Sequence, residues 1–254
     1  MLRNNPLVKP YLKWAGGKRQ LLPEIKKYMP ARMNDYLYYE PFLGAGAVFF
    51  DIQPKRAVIN DFNDQLIGTY IAIRDHVTEL INLLREHKEK HSEEYFYQIR
   101  ALDRIPETFR KMTNVEKAAR LIFLNKTCYN GLYRVNSQGL FNVPYGRYKN
   151  PAIYEETVLK AVSKYLNENE IIITNEDFES AVQKADKRSF VYFDPPYHSA
   201  GNTNFTGYQA DGFGEIEQIR LRDTYQQLTE RGIKCLLSNA DTTFIREIYA
   251  DERF

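Results

Sequence analysis

Residues 190–197 read Phe-Val-Tyr-Phe-Asp-Pro-Pro-Tyr, an apolar run that ends on an acid, two prolines and an aromatic residue. Four consecutive apolar residues are typical of a strand that is buried on both faces of a parallel sheet. Because proline cannot donate a backbone hydrogen bond to a neighbouring strand, the strand must end at Asp194. The Asp194 carboxylate is therefore predicted at the carboxyl edge of the sheet, where ligands bind in open α/β folds.

The residues that end this strand, Asp194, Pro195, Pro196 and Tyr197, offer the groups needed to hold an exocyclic amine. The Asp194 carboxylate can accept one N–H of the amine and the Pro195 carbonyl can accept the other, while the Tyr197 ring can stack on the ring that bears the amine. With both hydrogens held, the nitrogen lone pair points towards an electrophile instead of delocalising into the ring. We therefore predict these four residues as catalytic, with a simple proline turn as the alternative.

A glycine turn follows an earlier strand. Residues 36–46 read Tyr-Leu-Tyr-Tyr-Glu-Pro-Phe-Leu-Gly-Ala-Gly, which predicts an apolar strand that runs into a turn with glycines at 44 and 46. A second short strand over 57–60 ends at Asp61. An acid at this position holds ribose hydroxyls in nucleotide-binding α/β proteins. The alternative for Asp61 is an acid favoured by the dipole of the following helix.

Composition bounds the class of protein. A chain of 254 residues with 43% hydrophobic content can bury a sizeable core, as one large domain or two small ones. Cys128 and Cys235 form no CxxC pattern, and no signal sequence or membrane-length apolar run occurs, so we predict a reduced, cytoplasmic protein without a membrane anchor. His87 and His91 lack the glutamate and third ligand of a zinc site, so we predict no metal and interpret them as a solvated helix face.

Positive charge is concentrated in two stretches that contain no acid. Residues 1–23 hold five basic residues and residues 117–154 hold six, although the net charge of the whole chain is only +2. This segregation favours a polyanionic partner. Aromatic residues within the second stretch predict stacking against nucleic-acid bases, with a basic surface over an aromatic core as the alternative. These aromatic residues are Tyr129, Tyr133, Phe141, Tyr145 and Tyr148.

The middle of the chain interrupts the α/β pattern. Helices are predicted at 63–75, 77–90, 93–104 and 115–126, the last opening with the capping-box pattern Thr113-x-x-Glu116. A long loop from 128 to 151, here called the 128–151 loop, follows and suggests a functional role. Strands at 171–174, 190–193 and 234–238 and a helix at 215–231 then resume the α/β pattern. The sequence predicts an α/β fold: a doubly wound, mostly parallel sheet domain (1–64 and 153–254) with an inserted small helical domain (65–152).

Several motifs occur in an order that resembles one family. They read Lys-Trp-Ala-Gly-Gly-Lys at 13–18, Glu-Pro-Phe-Leu-Gly-Ala-Gly at 40–46, Tyr-Asn-Gly-Leu-Tyr-Arg at 129–134 and Asp-Pro-Pro-Tyr at 194–197, with a further likeness over 141–149. From about residue 11 to the end, the chain resembles Dam-type DNA adenine N6-methyltransferases of the D12 class. The resemblance implies a Rossmann-like methyltransferase sheet with a DNA-recognition insert. It implies a monomer that transfers a methyl group from S-adenosylmethionine to N6 of a flipped-out adenine in double-stranded DNA, within GATC, without a metal.

The resemblance also implies roles for individual residues. The cofactor-binding group is Trp14, Lys18, Glu40, Gly44, Gly46, Asp61, Phe62, Asp177, Phe178 and Asp194. The DNA-binding group is Lys13, Tyr129, Asn130, Leu132, Arg134, Asn136, Pro144, Arg147 and Lys149. Within the second group, Lys13 and Arg134 would each take a guanine, and Leu132 and Pro144 would contact a thymine methyl group. A helix cap is the alternative for Asp177, and the loop over 199–213 is predicted as a lid over the flipped base.

Other functions share parts of this pattern. A cytosine N4 methyltransferase would use the same amine chemistry, although serine commonly replaces the aspartate. A protein glutamine methyltransferase favours Asn-Pro-Pro-Tyr in place of Asp-Pro-Pro-Tyr. The sequence argues against a nicotinamide oxidoreductase, because Val48 and Phe49 follow Gly46 and the motif G-x-G-x-x-G is not completed. A non-catalytic DNA-binding relative stays open, as does a companion restriction endonuclease. Family chains usually continue beyond the position of Phe254 through a β-hairpin, so we expect an exposed sheet edge if that hairpin is absent.

Overall fold

A parallel sheet of five strands forms the centre of the protein. The computed structural model describes residues 4–14, 18, 20–198 and 213–250. The strands are β1 (Leu37–Glu40), β2 (Arg56–Asn60), β3 (Glu170–Thr174), β4 (Ser189–Phe193) and β5 (Lys234–Leu237), and they lie in the order β3-β2-β1-β4-β5. Every neighbouring pair is parallel. This arrangement confirms the predicted α/β sheet.

Helices cover both faces of the sheet because side chains alternate along each strand. Tyr38, Phe190 and Tyr192 belong to a large core on one face. Tyr39 and Val191 belong to a second core on the other face, where α8 and α9 pack. All five residues of β4 are buried, as the apolar run predicted, whereas the edge strand β3 is only partly covered.

The helices follow the predicted pattern with small changes at their ends. They are α1 (Leu22–Lys27), α2 (Ala47–Ile52), α3 (Asp64–Glu89), α4 (Glu93–Ala101), α5 (Pro106–Lys111), α6 (Asn114–Thr127), α7 (Glu156–Glu168), α8 (Phe178–Val182), α9 (Glu215–Glu230) and α10 (Thr243–Ile248). The two helices predicted at 63–75 and 77–90 form α3, which is interrupted at His76, where φ is −136° and ψ is 36°. The helix predicted at 93–104 is α4 followed by a short 3-10 turn. The predicted capping box is present: Thr113 Oγ1 accepts from Glu116 N, and Glu116 Oε2 accepts from Thr113 N.

The inserted helices share a core with the sheet. The large core includes Tyr38 and Ile59 from the strands together with Leu84 from α3 and Phe123 from α6. One continuous set of buried residues crosses the predicted domain boundaries. The division into a sheet domain (1–64 and 153–254) and a helical domain (65–152) therefore stays a prediction.

A buried ion pair ties the 128–151 loop to the helices. The Arg120 guanidinium lies 2.8 Å from Asp103 Oδ2, and both side chains are almost completely buried. Asp103 Oδ2 also accepts a hydrogen bond from Phe141 N at 2.9 Å, and Arg104 donates to Phe141 O at 2.7 Å. One middle segment of the loop is therefore held by charged groups from outside it.

His87 and His91 are half-buried, so their interpretation as a solvated face is wrong. The His87 ring stacks on Phe123 with a centroid distance of 5.0 Å, and burial lowers the pKa of His87 to about 4. His87 Nδ1 lies 2.8 Å from Tyr95 Oη, and His91 Nε2 lies 3.2 Å from Tyr145 Oη. The rings are covered because α4 and α6 pack over this end of α3. Among the described residues, no helix combines the length and apolar character needed to cross a membrane.

Candidate active site

Three acids converge at the carboxyl edge of the sheet. Glu40 is the last residue of β1, Asp61 follows β2, and Asp194 follows β4. Because β1 lies between β2 and β4 and all three strands are parallel, these ends are neighbours at one edge. Asp61 and Asp194 were predicted at strand ends, whereas Glu40 was predicted only as a cofactor residue implied by the resemblance.

Glu40 is the most deeply buried of the three acids, with 2% of its surface exposed. Tyr38 Oη donates a hydrogen bond to Glu40 Oε2 at 2.6 Å. Burial raises the pKa of Glu40 well above its usual range, and the negative charges of Asp194 and Asp61 raise it further. The carboxyl group of Glu40 therefore favours its neutral form.

Asp61 holds the glycine turn. Its Oδ2 accepts a hydrogen bond from Gly44 N at 2.8 Å, and its Oδ1 accepts one from Asn63 N at 3.0 Å. Burial raises the pKa of Asp61 to about 6, although these two backbone N–H groups oppose the shift. The cap of α3 is Asn63, whose side chain accepts from Leu66 N, so Asp61 is not the N-cap of that helix.

The turn requires glycine at both positions. Gly44 and Gly46 have φ angles of +52° and +69°, in the left-handed region that side chains disfavour. A Cβ atom at Gly46 would also lie 2.9 Å from Tyr70 Oη, which donates a hydrogen bond to Gly44 O. The backbone of the turn is thereby fixed against α2 and α3.

Asp194 forms an ion pair with Lys18. Lys18 Nζ lies 2.7 Å from Asp194 Oδ1, and the two side chains are only 6% and 18% exposed. Burial raises the pKa of Asp194 to about 6, even though Lys18 lowers it. For Lys18, burial alone would lower the pKa, but attraction and hydrogen bonding to Asp194 outweigh it and the pKa is raised. At neutral pH the pair is therefore ionised.

Lys18 also reaches the other end of the Asp-Pro-Pro-Tyr motif. Its ammonium lies 4.4 Å from the centroid of the Tyr197 ring, within cation–π distance. The motif is further held by a residue that the sequence analysis missed: buried Gln218 of α9 donates to Pro196 O at 2.9 Å. Asn239, after β5, donates in turn to Gln218 Oε1 at 2.8 Å. The burial of Gln218 is apparent only in the structure, so no local sequence pattern indicated this contact.

Trp14 lies between the glycine turn and the 128–151 loop. Its ring stacks on Tyr133 with centroids 5.0 Å apart and planes inclined by 22°. On the turn, a Cβ atom at Gly44 would lie 3.0 Å from Trp14 Cδ1. Trp14, a predicted cofactor residue, therefore contacts both the glycine turn, which was predicted to bind the cofactor, and the 128–151 loop, which was predicted to bind DNA.

The remaining predicted cofactor residues lie around β2 and β3. Phe62 is 60% exposed beside Asp61. Asp177 caps α8 through Glu179 N and pairs with Arg220 at 3.0 Å, so the helix-cap alternative describes its position. Phe178 is buried and stacks on Phe42 at 5.3 Å. Contact of these residues with a cofactor stays a prediction.

Most of the predicted DNA-binding residues are exposed on one segment. Tyr129, at 54% exposure, follows α6, and its N–H donates to Pro144 O, which folds the 128–151 loop back on itself. Arg134 Nε donates to Asn142 Oδ1 at 2.7 Å. Asn136 is the exception, because its Oδ1 accepts from Gln138 N and Leu140 N within the loop. The exposed residues of the predicted group are Lys13, Tyr129, Asn130, Leu132, Arg134, Pro144, Arg147 and Lys149.

The aromatic residues of this loop divide into two sets. Tyr133 and Phe141 are buried and belong to the large core, so the prediction that they stack on bases is wrong for both. Tyr145 and Tyr148 are half-buried, and Tyr129 is the exposed member. The alternative of an aromatic core beneath a basic surface therefore describes Tyr133 and Phe141. The predicted lid, 199–213, lies outside the described residues except for Phe213, which packs on Phe42 at 5.5 Å.

Metal ligands do not cluster in the part of the chain that the structure describes: no group of three or more histidine, cysteine, aspartate or glutamate side chains there could hold an ion.

Comparison with known proteins identifies the family of the chain. Residues 14–254 match the family described as D12 class N6 adenine-specific DNA methyltransferase. The chain is 46% identical over 253 residues to the type II methyltransferase M1.LlaDCHI of Lactococcus lactis subsp. cremoris, covering 99% of this chain and 88% of the relative. It is 42% identical to the type II methyltransferase M.MjaIII of Methanocaldococcus jannaschii, covering 95% and 88%. It is 37% identical to the DNA adenine methylase of Escherichia coli K12, covering 94% and 83%. The resemblance is confirmed, and the chain belongs to the D12 class of N6 adenine-specific DNA methyltransferases.

Proposed function

We propose that this enzyme methylates N6 of an adenine that is flipped out of duplex DNA within the sequence GATC. The observation that carries the proposal is the position of the Asp194 carboxylate at the sheet edge, where it pairs with the Lys18 ammonium, which also lies over the Tyr197 ring. A partly buried carboxylate cannot reach a base inside the double helix, so the adenine must leave the stack.

The acids at the sheet edge fit the methyl donor of the family, S-adenosylmethionine. Glu40 interacts electrostatically with both Asp61 and Asp194, and Lys18 pairs with Asp194, so acids exceed bases at this edge. An excess of acid suits a donor that carries a sulfonium and an ammonium group. When bound, S-adenosylmethionine supplies an electrophilic methyl group. The residues proposed to hold it are Trp14, Lys18, Glu40, Gly44, Gly46, Asp61, Phe62, Asp177, Phe178 and Asp194.

The catalytic residues act on the adenine amine. Asp194 accepts one N–H and the Pro195 carbonyl accepts the other, while Tyr197 stacks on the adenine ring, so the nitrogen lone pair is directed away from the ring system. Positive charge that develops on the nitrogen is stabilised by the Asp194 carboxylate, which can also accept the amine proton. Lys18 keeps that carboxylate ionised and oriented before the base arrives.

The exposed residues of the 128–151 loop are proposed to bind the DNA. Tyr129 can enter the base stack, Arg134 and Lys13 can each bind a guanine edge, and Leu132 can contact a thymine methyl group. The other residues of the proposed DNA surface are Asn130, Asn136, Pro144, Arg147 and Lys149. Because Asn136 bonds within the loop, its proposed part is to shape the turn that carries Arg134.

Methyl transfer to defined duplexes tests the catalytic proposal. With labelled cofactor, wild-type protein should methylate a GATC duplex, but not a scrambled site or GATC already methylated on both strands. Asp194→Ala should abolish transfer while duplex affinity is largely retained, and Asp194→Asn should be badly impaired because it loses the negative charge. Turnover of Asp194→Ala within about tenfold of wild type would contradict the proposed role, since one such electrostatic group is usually worth more.

Sequence preference tests the proposed DNA surface. Arg134→Ala should relax selectivity at one base pair, because a bidentate arginine–guanine contact contributes about 1–3 kcal/mol of discrimination. Lys149→Ala should instead weaken all sequences alike, as expected for a phosphate contact. The measurement is kcat/KM on GATC and its single-base variants, and an unchanged profile for Arg134→Ala would assign base reading to another residue.

We also propose that the enzyme acts as a monomer and modifies sites that a restriction endonuclease shares, without contacting that endonuclease. The names of two relatives, both type II methyltransferases, favour a restriction–modification setting. The molar mass from light scattering, with and without duplex DNA, tests whether the enzyme is a monomer. Resistance of the methylated duplex to endonucleases that cut GATC tests whether the site has been modified.

A further inference from the structure

The side chain of Asn125 joins two distant segments of the chain. Asn125 lies in the last turn of α6 and is fully buried. Its Oδ1 accepts a hydrogen bond from Lys13 N at 2.9 Å, and its Nδ2 donates to Lys13 O at 2.7 Å. The same Nδ2 donates to Gly131 O at 2.9 Å. One amide therefore binds the backbone on both sides of Lys13 and the turn at 129–131.

An asparagine suits this position because a side-chain amide carries one acceptor oxygen and two N–H donors, the groups of a peptide bond. Both donors and the oxygen are engaged, so the buried amide is satisfied. Lys13 and Asn125 are 112 residues apart. Because chain connectivity cannot set the spacing between Lys13 and the 129–131 turn, that spacing depends on contacts such as these.

The side chain of Lys13 is also directed by this turn. Gly131 has a φ angle of +64°, and a Cβ atom there would lie 2.3 Å from Lys13 Cδ and 2.7 Å from Lys13 Cβ. The aliphatic part of Lys13 therefore passes directly over the Gly131 backbone. Its ammonium then lies 5.1 Å from the centroid of the Tyr148 ring. The exposed Lys13 is thus positioned by its contacts with Gly131 and Tyr148.

We propose that Asn125 is a positioning residue that fixes Lys13 against the 129–131 turn and thereby sets the DNA sequence selectivity of the enzyme. Asn125 is buried and does not itself touch DNA; it acts through Lys13. The inference rests on the proposed function, in which Lys13 and the exposed face of the 128–151 loop contact bases.

A double-mutant cycle tests this coupling. Asn125→Ala should lower the preference for GATC by about tenfold, the scale of one lost base contact. The preference is measured against the duplex in which the guanine contacted by Lys13 is replaced. Lys13→Ala should lower the same preference, and adding Asn125→Ala to Lys13→Ala should produce no further loss. In the Asn125→Ala variant, KM for GATC should rise while kcat at saturating duplex stays within about twofold, because the Asp194 site is not touched.

The matched control is Thr127→Ala. Thr127 lies in the same turn of α6 and is equally buried, but its hydroxyl donates only to Phe123 O of its own helix. Loss of this hydroxyl should lower the melting temperature without changing the preference profile. If Asn125→Ala does not fold, Asn125→Asp replaces it, since a neutral carboxyl group keeps the acceptor for Lys13 N and can donate to one carbonyl.

The outcomes separate the inference from the function on which it rests. Additive losses in the cycle, or a profile that changes for Asn125→Ala but not for Lys13→Ala, would overturn the positioning role. A wild-type enzyme that methylates adenine with no preference for GATC would instead contradict the proposed function, independently of the cycle.

Discussion

Replacement of Lys18 by methionine isolates the effect of its charge on Asp194. The methionine side chain keeps much of the length of lysine but removes the ammonium that lies 2.7 Å from Asp194 Oδ1. A neighbouring opposite charge lowers a carboxyl pKa by about 1–3 units. With Lys18 present the pKa of Asp194 is about 6, and Glu40 and Asp61 leave it in acidic surroundings. We therefore expect a pKa between about 7 and 9 in Lys18→Met.

This shift has a defined effect on rate if the Asp194 carboxylate is the active form. At pH 7.5 about 97% of wild-type Asp194 would be ionised, whereas a pKa of about 7 to 9 leaves roughly 76% to 3% in the variant. The rate at pH 7.5 should therefore fall by about 1.3- to 30-fold, depending on the size of the shift, and recover substantially as the pH approaches 9.5. The wild-type rate should fall only below about pH 6.

Single-turnover rates at saturating cofactor and DNA, measured from pH 5.5 to 9.5, give the two profiles. Lys26→Met is a matched control, because Lys26 forms a 2.8 Å ion pair with Asp51 at the surface. Its profile should follow that of wild type, since exposed pairs contribute little. A Lys18→Met profile that is lower at every pH but has the wild-type midpoint would refute the electrostatic role and leave Lys18 a contact for a bound molecule.

Three further predictions concern stability and DNA affinity. Burial holds the pKa of Asp61 near 6 in the folded state, above about 3.9 in the unfolded chain, so the contribution of Asp61 to the free energy of unfolding should decrease from pH 4 to 6. Urea denaturation of wild type and Asp61→Asn across that range measures this contribution, and a difference between them that does not change with pH would contradict the prediction. Asp103→Asn should lower the free energy of unfolding by about 3–5 kcal/mol because it leaves the buried Arg120 charge unpaired. The surface variant Asp51→Asn should change the free energy of unfolding by less than about 1 kcal/mol, and equal effects of the two variants would refute a stabilising role of the buried ion pair. Duplex affinity should fall with salt by a slope of about −0.9 in log K for each phosphate neutralised, and a slope near zero would contradict phosphate contacts by the two basic stretches.

The strand ends could be predicted from sequence because their causes are local. The prolines after Asp194 end β4, and the glycines at 44 and 46 are required by positive φ angles in the turn after β1. Parallel strands end at the same edge, so Asp61 and Asp194 could be placed there from sequence, whereas the strand order that brings Glu40 between them is known only from the structure. A short-range pattern was sufficient wherever the structure depends on neighbours in the sequence.

The partners of these acids could not be predicted in the same way, because they are distant in sequence. Nothing in the local pattern pairs Lys18 with Asp194 or directs Gln218 to the carbonyl of Pro196. Burial of Tyr133 was missed for a related reason, because a tyrosine within a polar loop is expected to be exposed. Its ring is covered by Trp14, from near the N-terminus, which stacks against it, and by Phe141.

This position of Trp14 changes how a substitution there should be interpreted. The indole ring contacts the Gly44 turn on one side and Tyr133 on the other, and the preceding residue, Lys13, is bound on both sides by Asn125. A change at Trp14 thus disturbs the proposed cofactor turn and the proposed DNA surface together. Loss of cofactor affinity in a Trp14 variant is therefore insufficient to assign the ring to the cofactor alone, and the same variant must also be tested for sequence preference.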